Sequence, residues 1–200
     1  MPHYLYQTES FIIGSRSINE GSRLLDLLTR DLGRISVLAQ GARELKSKLR
    51  YRLSELTFFQ AGLVRGREFW RLVGAESIGD FKIEALSADP HRQIITARLA
   101  LLLRRFLATD ELSADHQLYV EIRSALSFLT KHDLSVAERE QYEIAVVWRL
   151  LARLGYGRRT PTLEAILAHP VWNHELLATT AACQAEAVAS INEAFYHSQL

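Results

Sequence analysis

Gly21–Gly41, GSRLLDLLTRDLGRISVLAQG, is the stretch on which the fold turns. Residues 34–40 read as a short apolar strand that runs into a glycine turn. Ser22–Arg30, SRLLDLLTR, has a helix-like apolar period, and its flanking glycines argue for a strand instead. Read as a strand, it is the second of five, at about 4–16, 23–30, 34–40, 55–64 and 68–78. Gly14, Gly21, Gly33, Gly41, Gly62, Gly66, Gly74 and Gly79 punctuate this half of the chain. Short strands at this spacing predict a small β-barrel or sandwich. The first strand changes phase near Ser10–Ile13, which requires a bulge, a device that bends closing sheets. Arg65-Gly66 is predicted to join the last two strands as a tight hairpin turn.

Past Gly79 the pattern becomes helical. Asp89-Pro90 is an N-cap followed by proline at the first helical position. Ile94–Leu107 is apolar nearly all round, which predicts a buried central helix. Leu118, Ile122, Leu126 and Leu129 mark a second helix. Ser135 and Glu138 form a capping-box pattern opening a third, which Leu154-Gly155 should stop. Thr160-Pro161 starts a short fourth. Asn173 caps a long last helix with Leu177, Ala181, Val188, Ile191 and Phe195 on one face. The expected architecture is α+β, with a β domain over residues 1–80 and an all-α domain over residues 81–200.

Composition excludes several classes. The 200 residues are 48% hydrophobic and 24% charged, as in an ordinary globular chain. No apolar run reaches the roughly 18 residues of a membrane helix, and the start carries no secretory pattern. Cys183 is the one cysteine, so no intramolecular disulfide and no four-cysteine zinc site can form; a cytoplasmic location is expected. Cys183 lies among alanines and reads as a small buried apolar residue. No phosphate loop or dinucleotide fingerprint occurs, and His169 and His174, five apart around a proline, read as surface residues rather than ligands. Asp110-Glu111 and Glu138 with Glu140 read as loop and helix-start charges. A non-enzymatic protein without a metal or cofactor is expected.

Charge singles out one region. Residues 1–80 hold 12 basic and 9 acidic residues, a net of +3, against 12 and 14, a net of −2, over residues 81–200. Arg43, Lys46, Lys48, Arg50 and Arg52 are five cations within ten residues, opposed only by Glu44. With Arg34, Arg65, Arg67 and Arg71 they give nine basic against three acidic residues between Arg34 and Arg71. Tyr51, Phe69 and Trp70 are interleaved with them. Cations that neutralise phosphates beside flat side chains that take stacked bases are what nucleic-acid binding needs. The plainer alternative is a solvated loop and hairpin, with Phe58, Phe59 and Trp70 in the barrel core. Trp148 reads as helix core, and Trp172 is unassigned.

The progression Gly21-Ser22-Arg23-Leu24-Leu25, Thr29, Gly33-Arg34-Ile35, Ala39-Gln40-Gly41-Ala42-Arg43 and Lys46-Ser47-Lys48-Leu49 resembles the N-terminal domain of the bacterial RecO DNA repair family. Leu154-Gly155-Tyr156 is similar to that family's L-G-Y at a helix end. Gln40 stands where the family usually has a basic residue, and the four-cysteine zinc motif that many members carry after L-G-Y is absent. The resemblance implies an N-terminal five-stranded OB-fold barrel joined to a helical domain. It implies binding of single- and double-stranded DNA, annealing of complementary strands, and cooperation with RecR and single-stranded DNA-binding protein so that the RecA recombinase loads. DNA would be held by Arg34, Arg43, Lys46, Lys48, Arg50, Arg52, Arg65, Arg67 and Arg71. Two rivals are an OB-fold adaptor that binds acidic protein tails and a metal-dependent hydrolase or nuclease.

Overall fold

The computed structural model describes residues 4–41, 53–78, 89–109 and 115–198. The run Arg43–Arg52, with Tyr51, lies outside them, as do Gly79 and Asp110-Glu111. By proximity of backbone the chain separates into two compact units, Met1–Tyr119 and Val120–Leu200.

The first unit is built on five strands: β1 (Leu5–Ser17), β2 (Arg23–Thr29), β3 (Gly33–Ala39), β4 (Phe58–Arg65) and β5 (Trp70–Ser77). They close into a barrel in the order β1-β2-β3-β5-β4, with β4 returning to β1. Every pairing is antiparallel except β3 with β5. This is the OB-fold, a Greek-key barrel of five strands.

β1 does two jobs. Leu5–Phe11 pairs with β4 and Ser10–Ser17 pairs with β2. The phase change in the sequence is a real bulge: the register with β2 slips between Ile12 and Gly14. Before it, Ser10 and Ile12 point inward; after it, Gly14 and Arg16 point outward, opposite Asp26 and Leu24.

The helix-like period of β2 arises because both of its faces are covered. Leu25 and Leu27 enter the barrel core with Ile12, Ile35, Val37, Phe59, Leu63 and Trp70. Leu24 and Leu28 point the other way and are also buried. Phe59 and Trp70 are barrel core, whereas Phe58 lies on the outer face, stacked on Phe11 at 4.4 Å and edge-on to Tyr119 at 6.1 Å.

The β4–β5 connection differs from the expected two-residue turn. Arg65 pairs with Trp70, so Gly66–Phe69 is a four-residue loop, closed by Gly66 N donating to Phe69 O at 3.1 Å.

Helix α1 (Pro90–Phe106) begins as the sequence predicts: Asp89 accepts from the His91 amide and Pro90 occupies the first turn. It is not buried all round. Ile95, Leu99, Leu102 and Leu103 are buried, while Ile94 is 49% and Leu101 61% exposed. One face packs on β1, and a run of small and apolar residues hid that asymmetry.

Helix α2 (His116–Lys131) buries Leu118, Ile122, Leu126 and Leu129, and its last twelve residues belong to the second unit. That unit continues with α3 (Val136–Arg153), α4 (Pro161–Ala168), α5 (His174–Ala182) and α6 (Gln184–His197). Its core gathers Ala145, Trp148, Leu163, Ile166, Leu176, Cys183 and Ala187. The expected long last helix is two, broken at Cys183, whose backbone leaves the helical region. The buried stripe differs in part: Leu177 is buried and Ile191 packs on the core as expected, but Ala181 and Val188 are exposed, and Leu176, Thr180, Cys183, Ala187, Ser190 and Ala194 are buried as well. Small residues line this stripe because α5 and α6 pack closely on α3, so larger neighbours misled the choice of face.

Arg149 is a buried cation in this core. It pairs with Glu121 at 2.8 Å and donates to the Ile166 and His169 carbonyls at 3.2 and 2.9 Å, satisfying the end of α4. Trp172 donates to Glu121 at 3.0 Å and lies 5.3 Å beneath the Arg149 guanidinium.

The capping box at α3 is complete. Ser135 Oγ accepts from Glu138 N at 3.3 Å, and Glu138 Oε2 accepts from Ser135 N at 2.8 Å. His174 Nδ1 lies 2.7 Å from Glu138 Oε1. The Ser135 amide, the Ser135 hydroxyl and His174 together hold the Glu138 carboxyl down at about 2. A lowered folded-state pKa stabilises above the unfolded value of 4.5, and that stabilisation is lost as pH falls through about 2. Ser135→Ala is therefore expected to cost about 1 kcal/mol in urea denaturation at neutral pH. Glu138→Gln is expected to flatten the stability–pH curve between 4.5 and about 2; an unchanged acid limb would contradict this capping role.

Candidate nucleic-acid interface

The barrel carries a cleft of about 820 Å³ where the β4–β5 loop meets the start of β1. Its walls include Tyr4, Tyr6, Leu38, Arg65, Arg67 and Arg71. Barrel closure creates it: β1 pairs with β4 so that Leu5 lies opposite Val64 and Tyr6 opposite Leu63. That pairing brings Tyr4 and Tyr6 beside a loop some sixty positions away.

The cleft's floor is ordered by aromatic contacts. Trp70 is 3% exposed, its ring met edge-on by Tyr6 at 5.1 Å and covered by the Arg65 guanidinium at 4.9 Å. Trp70 therefore supports the surface from below instead of presenting a face to solvent. The exposed flat faces belong to Tyr4, 74% exposed, and Tyr6, 43% exposed. Phe69 is half-buried in the loop.

Electrostatics favour an anion here. Arg65, Arg67 and Arg71 are exposed, with Glu68 the one acid among the described wall residues. Among the described residues none of these three arginines makes an ion pair. A cleft with net positive charge and exposed rings neutralises phosphates and stacks unpaired bases.

The predicted site residues thus divide. Arg65, Arg67 and Arg71 converge on one cleft. Arg43, Lys46, Lys48, Arg50 and Arg52 lie outside the described residues. Arg34 is held elsewhere. Its guanidinium grips Asp26 at 2.9 and 2.7 Å and donates to the Arg104 and Leu107 carbonyls at the end of α1, both at 2.6 Å. Its side chain is only 14% exposed. Arg34 satisfies a helix terminus, as Arg149 does in the second unit. Tyr4 and Tyr6 escaped the sequence reading because their place beside the loop depends on the β1–β4 pairing. A hint was available in the YLY run at Tyr4–Tyr6, which places aromatic residues at the start of the first strand.

Comparison with known proteins fixes the lineage of this barrel. A family model described as recombination protein O N terminal matches residues 1–81, the segment holding all five strands. DNA repair protein RecO of Heliobacterium modesticaldum is 35% identical over 152 residues, covering 76% of this chain and 52% of that protein. The chain belongs to the RecO family. DNA repair protein RecO of Desulforudis audaxviator is 30% identical over 166 residues, 83% of this chain and 63% of that protein. That of Bifidobacterium adolescentis is 30% identical over 128 residues. The chain therefore spans between half and two thirds of the length of the first two RecO relatives.

Gly66 sets the shape of the loop in this family member. A Cβ at Gly66 would lie 2.2 Å from the Phe69 carbonyl oxygen, the atom that accepts the loop's closing hydrogen bond. Gly66→Ala is expected to destabilise the barrel by about 1–3 kcal/mol in chemical denaturation. A variant as stable as the parent would show that this loop is not held in the described form.

Proposed function

We propose that this RecO-family chain is a DNA repair and recombination mediator that binds nucleic acid through its barrel and catalyses no bond rearrangement. One observation carries this reading: three arginines that make no ion pair among the described residues share one cleft on an OB-fold with two exposed tyrosines. In this reading residues 1–80 form the DNA-binding domain and residues 81–200 a helical domain.

Binding proceeds from the charges outward. Arg65, Arg67 and Arg71 displace counterions from a phosphate backbone, which gives affinity without sequence preference. Tyr4 and Tyr6 offer ring faces to unpaired bases, so single strands gain a contact that a stacked duplex cannot make. The cationic run from Arg43 to Arg52 extends the basic surface in sequence, and we assign Arg43, Lys46, Lys48, Arg50 and Arg52 to phosphate contacts on charge alone. Arg34, committed to Asp26 and α1, supports the barrel face and is not assigned a direct contact.

Annealing follows from the same chemistry. Two complementary strands repel through their phosphates, and a cationic surface that neutralises both lets pairing proceed without metal or nucleotide. Family membership supports the wider role: work beside RecR and single-stranded DNA-binding protein, so that the RecA recombinase loads inside the cell. An adaptor that instead takes acidic protein tails would use the arginines and leave the tyrosines idle, so the exposed rings favour DNA.

The test is fluorescence anisotropy with labelled dT20 over a salt series. The wild-type chain is expected to bind with a steep inverse dependence on salt. Arg67→Ala combined with Arg71→Ala should lower the slope of log K against log salt by about 1.4, at about 0.7 per lost single-strand contact. Tyr6→Ala should weaken dT20 binding by about 1–3 kcal/mol and affect duplex binding less. Unchanged affinity in both variants would refute the cleft as the site.

A further inference from the structure

Strand register divides the outer face of β1, β4 and β5 into three rows. Leu5, Val64 and Arg71 oppose one another in the first. Gln7, Gly62 and Gly74 form the second, and Glu9, Gln60 and Glu76 the third. Directly opposed residues share a face, so each row is one line across the three strands. These are outward positions, since Ala61, Leu63, Leu72 and Ala75 between them enter the barrel core. The register slips between Gly62 and Leu63, which leaves Val73 as an extra residue on β5. Val73 joins the outer face: a Cβ at Gly62 would lie 3.6 Å from its Cγ2.

The middle of this face is low and apolar. Leu5 and Val73 are each 58% exposed, and Val64 is half-buried. Gly62 and Gly74 oppose one another without side chains, and a Cβ at Gly74 would meet nothing within 4 Å. Exposed apolar surface rimmed by polar groups marks a contact surface. The ends of the face carry opposite charge. Arg71 stands in the first row and Glu76 in the third, both exposed and neither in an ion pair among the described residues. Glu9 adds acid to the third row, facing Arg30 at 3.9 Å.

We propose that this face docks on the same face of a second copy of the chain, about a two-fold axis that runs along the glycine row. Rotation about that axis keeps β5 against β5 and exchanges the two outer rows. Arg71 then meets the second copy's Glu76, Glu76 meets its Arg71, and Val73 packs on Val73 across the axis. A face with one basic and one acidic end is self-complementary under this rotation, as an isologous interface requires. The two sheets pack face to face with their strands antiparallel, offset by the roughly 30° that sheet twist gives. Three strands about 4.8 Å apart and five residues long span about 14 Å in each direction. An area of that size lies below the roughly 800 Å² per partner of a stable complex, so the pair forms transiently. Arg71 also walls the aromatic cleft, so a second copy and an anion in the cleft exclude one another at that side chain.

The test is sedimentation equilibrium of the full chain at low salt, over a concentration series up to about 0.5 mM. It is run without nucleic acid, so its outcome stands apart from the nucleic-acid reading of the cleft. The weight-average mass of the wild type is expected to rise from one chain toward two. Val73→Glu, at an exposed position, is expected to keep the thermal midpoint of the wild type and to stay at the mass of one chain. Arg71→Glu and Glu76→Arg, made singly, are each expected to lower the association constant about tenfold, because the two-fold axis doubles every broken pair. Made together they exchange the two ends of the face and should restore association. A wild type that remains one chain throughout would overturn the proposal and leave the face to a different protein. Association that Val73→Glu or the single swaps leave unchanged, or that the double swap fails to restore, would overturn it as well.

Discussion

The bulge between Ile12 and Gly14 is the constraint on which the barrel and its outer surface depend. A single strand must leave β4 and join β2 for the sheet to close, and β1 bends to do so where the register slips. The slip also reverses which side chains face out. Without it Gly14 and Arg16 would continue the inward set begun by Ser10 and Ile12. With it Arg16 reaches the outer face, and Gly14 lies under Arg104, whose side chain would come within 3.2 Å of an added Cβ. One irregularity thus closes the core, seats α1 and directs a cation outward.

Arginine is used here in two ways, and the partners separate them. Arg34 and Arg149 each combine a carboxylate with the carbonyls at a helix end, Asp26 with α1 and Glu121 with α4. A planar fork with five donors suits that task, because one group satisfies an acid and the backbone acceptors together. Arg16, Arg65, Arg67 and Arg71 make no ion pair among the described residues, and they border two openings of the barrel surface. In a chain whose net charge is only +1, such local concentration gives the surface its sign.

Local patterns in the sequence carried the barrel well. Glycine spacing and apolar runs located all five strands, and the phase change in β1 located the bulge, because both are properties of adjacent residues. Helix starts at Asp89, Ser135, Thr160 and Asn173 were legible for the same reason: each cap is a short-range hydrogen bond. What failed depended on distant partners. The role of Arg34 follows from Asp26 as its diagonal neighbour across β2 and β3, and its charge alone does not reveal that. Tyr4 and Tyr6 join the cleft only through the β1–β4 pairing. The inward stripe of α5 and α6 is lined with small residues, and so close packing on α3 left little hydrophobic signal to read.

The central claim is that the cleft between the β4–β5 loop and the start of β1 binds nucleic acid. Backbone amide chemical-shift mapping of the ¹⁵N-labelled chain with unlabelled dT10 tests it most directly. The account predicts perturbations grouped at Tyr4, Tyr6, Leu38 and the loop from Arg65 to Arg71. Perturbations confined to residues beyond Val120, or none at saturating dT10, would contradict it.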